Sequence, residues 1–290
     1  MRRLVLLILA LATLLPSLVL GYDVLILQSR RDPAYEEVLS GFHSGQSVSQ
    51  RVVVLADYAE VDVVRIVRED RPRMILAVGD AAVMAAHQIR TLPVVSVLAL
   101  GIHNRKYAPA NLTGISMFVH PEQYVGMFKS LKIRRVGVVY NEEKSGWYLL
   151  LARKAASAAG LELVVREISA PRETVGQLAT LAGKVDALWM LPDTTAVTRE
   201  TSEAYFRFGQ QNSVPVVSFA PSYLGLGAAA VLEIDRVAMG RQAFALTAKI
   251  LNIKNSENSE NSENMTFHFP RKVTRKHNPT VLKNLAMMPE

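Results

Sequence analysis

The sequence predicts an α/β protein built from two doubly wound, Rossmann-like lobes with parallel sheets. Short, almost entirely apolar segments alternate with longer segments whose apolar residues recur at helical spacing. The apolar segments lack the polar alternation of a half-exposed strand, which indicates strands buried on both faces. This alternation stops after residue 98 and starts again near residue 113. Two successive series of similar size predict two sheets, each covered by its own helices.

The first series of elements covers residues 23–98. Apolar runs that end in turn residues predict strands at residues 23–27, 52–55, 74–78 and 93–98. Helical spacing predicts helices at residues 33–46, 62–69 and 81–89. The first lobe therefore begins close to the start of the chain.

The second series opens with a predicted crossing strand at residues 113–117. Further strands are predicted at residues 135–140, 161–165, 187–190, 214–218 and 227–232. Helices are predicted at residues 121–131, 147–159, 175–181, 195–211 and 237–251. Residues 255–264 repeat Asn-Ser-Glu and are predicted to form a polar, low-complexity loop with nothing to bury.

The first residues have the pattern of a secretory signal peptide. Arg2 and Arg3 precede an apolar run, and the small residue Gly21 lies at its exit, so we expect residues 1–21 to be removed by cleavage. A retained N-terminal anchor is the alternative, since the run is near the lower length limit for a spanning helix. The chain has no cysteine, which excludes disulfides and a lipid-modified cysteine. A cleaved product is expected to be free in the periplasm.

The net charge of +7 does not by itself indicate a nucleic-acid partner. Much of the excess lies late in the chain, without interleaved aromatic residues, at Arg271, Lys272, Arg275, Lys276 and Lys283. A solvated surface is the preferred interpretation, and a mild attraction to anionic lipid heads or an anionic solute is left open. We expect no nucleic-acid partner and a monomer.

The motifs of common enzyme classes are missing from this sequence. The six histidines show no HExxH spacing, and no GxSxG, P-loop or SxxK motif occurs. A GxG at residues 225–227 is not followed by a dinucleotide-binding fingerprint. The sequence therefore predicts a protein that is not an enzyme and has no catalytic residue, metal or cofactor.

Five segments carry a resemblance to a known family. They are residues 75–82 (ILAVGDAA), 111–116 (NLTGIS), 135–141 (RVGVVYN), 182–195 (with AGKVDA and PDTT at its ends) and 240–243 (GRQA). In their order and spacing they resemble the ABC-transporter substrate-binding proteins whose better-known members bind tryptophan or phenylalanine. The resemblance extends over most of residues 24–290. Two departures bear on the ligand: residues 96–101 are apolar where the family has a polar segment, and Thr194 replaces an asparagine.

The resemblance implies the type I periplasmic-binding-protein fold, with several strands crossing between two lobes and a ligand held in the cleft. By this analogy lobe one contains residues 22–117 and 230–254, and lobe two contains residues 118–229 and 265–290. It further implies a periplasmic receptor of an ABC importer that binds a small solute, with an amino acid favoured, and that docks on permease subunits in the inner membrane.

Candidate ligand-binding residues in lobe one lie where strands end, because ligands of open α/β sheets bind outside the carboxyl ends of the strands. The turn at Gly79, Asp80 and Ala81 allows close backbone approach and starts a helix, which suits a ligand carboxylate. Asp80 as a plain helix cap is the alternative. Ser29 and Tyr35 frame the exit of the first strand, and Tyr35 is placed to stack on a solute.

Candidate ligand-binding residues in lobe two follow the same logic, and each also has a structural interpretation. Asp193 either pairs with a ligand ammonium or caps a helix, and Asp193→Ala is expected to weaken binding without unfolding the protein. The other candidates, each of which could instead serve packing or capping, are Ser116, Asn141, Ser145, Trp147, Thr194 and Phe219.

Two further functions use the same fold. A periplasmic sensor or partner subunit would report solute occupancy to a membrane kinase or an uptake system, and a neighbouring kinase gene would favour it. A degenerate receptor that binds no solute is the third, motivated by the apolar residues 97–100.

Overall fold

The computed structural model describes residues 21–45, 47–103, 109–251 and 267–287. They form two six-stranded sheets, each covered by helices, which confirms the predicted α/β fold with two lobes. The predicted signal peptide and the Asn-Ser-Glu loop lie outside the described residues, apart from Gly21. Among the described helices, none combines the length and the apolarity needed to cross a bilayer.

The first sheet, the centre of lobe one, is parallel throughout. Its strands are β1 (Val24–Gln28), β2 (Gln50–Val54), β3 (Met74–Val78), β4 (Val94–Val97), β5 (Leu112–Ile115) and β11 (Phe267–His268). Their order in the sheet is β11-β5-β4-β3-β1-β2. Every residue of β1 and β3 is buried, as their apolar runs predicted, and the polar Gln28 at the end of β1 is buried with them. Complete burial of one such aliphatic side chain contributes about 1.5–3 kcal/mol.

The second sheet, the centre of lobe two, is parallel except at one edge. Its strands are β6 (Arg135–Tyr140), β7 (Glu162–Glu167), β8 (Ala187–Trp189), β9 (Val216–Ser218), β10 (Ala230–Ile234) and β12 (Val273–His277). Their order is β12-β10-β9-β8-β6-β7, and β12 runs antiparallel to β10. The carboxyl ends of β6 and β8 therefore lie at the same edge of the sheet.

Helices cover both sheets. Lobe one carries α1 (Pro33–His43), α2 (Val63–Asp70), α3 (Asp80–Ala86) and α8 (Arg236–Ile250). Lobe two carries α4 (Pro121–Ser130), α5 (Trp147–Ala158), α6 (Thr174–Ala179), α7 (Arg199–Asn212) and α9 (Pro279–Asn284).

Helices α1 and α8 pack against each other at unusually close range. A Cβ atom on Gly41 would collide with the carbonyl of Val237, and one on Gly240 would collide with the carbonyl of Val38. Because the two backbones nearly touch, only glycine fits at these two positions. This contact fixes α8, which lies late in the sequence, to the first helix of lobe one.

The chain crosses between the lobes three times: after β5, after β10 and between β11 and β12. The analogy placed residues 230–254 in lobe one and residues 265–290 in lobe two. In the structure β10 pairs with β9 in the second sheet, and β11 pairs with β5 in the first. The second and third crossings therefore lie near Asp235 and at residues 269–272. Strand β10 belongs to lobe two and strand β11 to lobe one, which corrects the predicted boundaries.

Candidate functional site

A cavity of about 330 Å³ opens between the two lobes. Lobe one lines it with Asp80, Met84, Leu100 and Gly101, and lobe two lines it with Glu143, Lys144, Pro192 and Thr194. Its walls follow the carboxyl ends of β3, β4, β6 and β8, where open α/β sheets place their ligands. The volume is at the lower end of the range for small-molecule pockets, about 300–1,000 Å³.

The lobe-one wall begins with a sharp turn from β3 into α3. Gly79 occupies the left-handed region at φ +88°, and a Cβ atom there would collide with the Tyr35 hydroxyl and lie 2.7 Å from Ser29 Oγ. Ser29 Oγ donates to the Val78 carbonyl at 3.0 Å and accepts from the Ala82 amide at 2.9 Å. Ser29 and Tyr35 therefore pack against this turn and do not line the cavity themselves.

Asp80 connects this turn to the next cleft-lining segment. Its Oδ1 accepts a hydrogen bond from the Gly101 amide at 2.8 Å, which fixes the short 3₁₀ turn Gly101–His103 beside α3. The chain reaches this turn through Leu98, whose φ of +53° is a left-handed conformation that costs a non-glycine residue roughly 1–2 kcal/mol. Leu100 then packs against the hydrophobic core of lobe two. This segment thus brings lobe one into contact with lobe two.

The lobe-two wall is organised by one buried carboxylate. Asp193 is 1% exposed and accepts four hydrogen bonds. Its Oδ2 accepts from the Asn141 amide at 2.8 Å and from Ser145 Oγ at 2.5 Å. Its Oδ1 accepts from the amides of Thr195 at 2.8 Å and Ala196 at 2.9 Å. All four donors belong to lobe two, so this carboxylate is engaged within its own lobe.

Two segments held by this carboxylate present side chains to the cavity. A π-helical turn at Glu142–Gly146 follows β6 and supplies Glu143 and Lys144. The segment after β8 supplies Pro192 and Thr194. Single π turns occur frequently at functional sites. The cavity therefore contains carboxylates from both lobes, an ammonium from lobe two and an apolar portion.

A stack of aromatic rings joins the lobes beside the cavity. The His103 ring from lobe one lies on Trp147 at the start of α5, with centroids 3.6 Å apart and planes 22° apart. His103 Nε2 lies 2.8 Å from Ser116 Oγ, and Phe118 meets Trp147 edge-on at 5.1 Å. Burial lowers the pKa of His103 to about 4, so the imidazole in this stack is neutral at pH 7.

The predicted site residues divide into three groups in the structure. Asp80 and Thr194 line the cavity, and Gly79 and Ala81 flank Asp80 in the turn. Others pack behind the walls or join the interlobe stack: Ser29, Tyr35, Asn141, Ser145, Asp193, Ser116 and Trp147. Phe219 packs edge-on against Tyr223 at 5.3 Å beside the core of lobe two, outside the cavity lining.

Six cavity-lining residues were missed by sequence reasoning: Met84, Leu100, Gly101, Glu143, Lys144 and Pro192. Five of them lie within about one helical turn of a predicted strand end, and Met84 lies about one turn after Asp80 in α3. A search of every residue between a strand end and the first turn of the next helix would have included most of them. Within the described ranges, no cluster of three or more His, Asp or Glu side chains is arranged to hold a metal ion.

Known proteins that are similar to this chain include a tyrosine-binding protein and a substrate-binding protein. The tyrosine-binding protein of Clostridioides difficile is 23% identical over 196 residues, covering 64% of this chain and 56% of that protein. The chain therefore spans little more than half the length of that curated relative.

Three solved structures share the fold over 93% of this chain and 96% of each matched chain. A conserved domain protein from Vibrio cholerae has a TM-score of 0.62 at 22% identity. A ligand-free, open substrate-binding protein with adhesive properties from Clostridium difficile has 0.66 at 20%. An ABC domain in complex with L-Trp from Streptococcus pneumonia has 0.61 at 17%. At these identities the similarity establishes the fold.

The family assignment rests on a match across most of the chain. The model for the ABC transporter substrate binding protein family matches residues 54–282, which include both walls of the cavity. The resemblance seen in the five sequence segments is thereby confirmed. The chain belongs to the ABC transporter substrate binding protein family, a family of binding proteins that are not enzymes.

Proposed function

We propose that this protein is the periplasmic solute receptor of an ABC importer and that it binds a free amino acid, preferably an aromatic one, in the interlobe cavity. The observation that carries this proposal is the presence of opposite charges on the two walls of that cavity. Lobe one contributes the carboxylate of Asp80, and lobe two contributes the ammonium of Lys144. A zwitterion between the lobes would satisfy both groups.

The two walls suit the two ends of an amino acid. The Asp80 carboxylate accepts one amide at Oδ1 and has further acceptor capacity for a ligand ammonium. Lys144 would donate to the ligand carboxylate, and the hydroxyl of Thr194 is nearby on the same wall. Met84, Leu100 and Pro192 would contact the apolar part of the ligand. Polar groups placed around an apolar portion would fix the orientation of a small molecule in the cavity.

The names of similar proteins support an aromatic ligand. One relative is a tyrosine-binding protein, and one matched structure contains L-Trp. Leu100 lines the cavity and would supply an apolar surface for an aromatic side chain.

Binding would couple to closure of the two lobes about the three crossings. A ligand that contacts both Asp80 and Lys144 stabilises the closed arrangement over the open one by the difference in its affinity for the two. Leu100 packs on the core of lobe two, so an apolar contact also holds the two lobes together. Permease subunits in the inner membrane would then recognise the closed pair of lobes.

Calorimetric titration of the purified protein with each of the twenty amino acids tests this proposal. We expect L-tyrosine, L-tryptophan or L-phenylalanine to bind, and Lys144→Met to weaken that binding by about 10- to 100-fold, the value of a hydrogen bond to a charged group. Lys154→Met is the matched control, because Lys154 is an exposed residue of α5, the helix that follows Lys144, and lies outside the cavity lining. Failure of all twenty amino acids to bind would contradict the proposal.

A further inference from the structure

Asp193 accepts hydrogen bonds from two separate cavity-lining segments of lobe two and, among the described residues, from none of lobe one. Glu143 and Lys144 lie between its partners Asn141 and Ser145, and Pro192 and Thr194 flank it directly. The carboxylate is therefore the link through which the positions of these cavity side chains depend on one another.

The four partners of Asp193 all donate, so the position requires a group that only accepts. An ionised carboxylate accepts on both oxygens. An asparagine side chain would direct its N–H₂ group at two donors in either orientation of its amide. These are the Asn141 amide and the Ser145 hydroxyl in one orientation, and the Thr195 and Ala196 amides in the other. The chemistry of the position thus distinguishes Asp from its closest isostere.

The network reaches a third strand end through Asn141. The Asn141 side chain donates to the Ile168 carbonyl at 2.8 Å, just beyond β7. The loops after β6, β7 and β8 are thereby joined at one edge of the second sheet. A buried charge contributes little net stability, because its desolvation offsets its hydrogen bonds. Its distinctive effect is to fix one arrangement of the groups around it.

We infer that Asp193 is a positioning residue for solute binding, which holds the turn Glu142–Gly146 and the segment after β8 so that Lys144 and Thr194 form one binding surface. This inference rests on the proposed function, because the ligand meets the side chains that Asp193 positions. Asp193 itself does not touch the solute, in contrast to the direct ion pair that the sequence suggested.

Asp186 provides a matched control at the opposite end of the same strands. Its Oδ2 accepts from the backbone amides of Arg134 at 3.2 Å and Arg135 at 2.8 Å. Asp186 thus connects the starts of β6 and β8, just as Asp193 connects the segments after their ends. It lies outside the cavity lining.

The test compares Asp193→Asn and Asp186→Asn in the full chain by two measurements. Hydrogen exchange of the ligand-free proteins reports the order of residues 141–146 and 194–196. We expect about tenfold faster exchange there in Asp193→Asn only. Titration with L-tyrosine and L-tryptophan should show affinity reduced at least about tenfold in Asp193→Asn and unchanged in Asp186→Asn. A misplaced Lys144 loses its charged hydrogen bond to the ligand, which is worth at least about that factor.

Two results would overturn the inference: unchanged exchange of residues 141–146 in Asp193→Asn, or unchanged affinity despite faster exchange. If Asp193→Asn does not fold, Ser145→Ala removes one donor, keeps the other three, and should show the same changes at smaller size. Absence of binding in the wild-type protein is a different failure. It refutes the amino-acid proposal, while the exchange measurement still decides whether Asp193 orders the two segments.

Discussion

The two walls of the cavity are held in place by different means. In lobe two, a carboxylate that is 1% exposed accepts four hydrogen bonds from two segments. In lobe one, the exposed carboxylate of Asp80 accepts one amide from Gly101, and the segment before it contains the strained residue Leu98. Lobe two therefore presents a pre-organised surface, whereas the lobe-one wall has fewer constraints and can adjust as the lobes close. Pre-organised groups lose less entropy when a ligand binds.

Alanine substitutions should separate the walls most clearly. Asp193→Ala leaves four donors without their acceptor in a buried place, and we expect the free energy of unfolding to fall by about 3 kcal/mol or more. Asp80→Ala removes an exposed acceptor and should lower it by less than about 1 kcal/mol. Urea denaturation of both variants measures the difference. Equal losses would refute the contrast between the walls.

Acid should weaken the contact between the walls through His103. Burial lowers the pKa of His103 to about 4, while in the unfolded chain it has the ordinary value of 6.5. Between these values the unfolded chain binds a proton that the folded protein does not, so stability falls as the pH falls. From pH 7 to pH 5 this should lower the free energy of unfolding by about 2 kcal/mol.

The matched variant for this effect is His103→Phe, which keeps a ring against Trp147 and removes the titration. Urea denaturation at pH 7 and pH 5 should show a smaller loss for this variant than for the wild type. The pKa values of His268 and His277 are also lowered by burial, and their effect is common to both proteins. The same loss in wild type and variant would show that His103 does not cause the pH dependence.

The smallest effect should come from Phe219, which the sequence suggested as a ligand contact. It is partly buried and packs on Tyr223 beside the lobe-two core. We expect Phe219→Leu to lower the free energy of unfolding by about 1 kcal/mol, the value of an aromatic pair, and to leave amino-acid affinity unchanged. Calorimetry and denaturation of one sample check both. A tenfold loss of affinity would place Phe219 in the site after all.

The fold was predictable because its strongest signals are local. The unbroken apolar runs of β1 and β3 identify strands buried on both faces, and the spacing in α1 identifies its buried side. The sheet that β10 joins was not predictable in this way. A short apolar strand fits either sheet, and the choice depends on where the chain crosses between the lobes.

The candidate site was predictable only in part, for a similar reason. Strand ends located Asp80 and Thr194 at the cavity. A carboxylate after a strand has the same sequence pattern whether it meets a ligand or backbone amides, so the role of Asp193 required coordinates. Glu143 and Lys144 look like ordinary surface charges in the sequence. Only the π turn and its anchoring by Asp193 bring them to the cavity.

A crystal structure of the protein crystallised in the presence of L-tyrosine tests the central claim most directly. The account predicts one tyrosine between the lobes, with its ammonium on Asp80 and its carboxylate on Lys144, and with Asp193 still accepting from Asn141, Ser145, Thr195 and Ala196. A tyrosine bound elsewhere, or one that contacts a single lobe while the cavity between Asp80 and Lys144 holds only solvent, would contradict it.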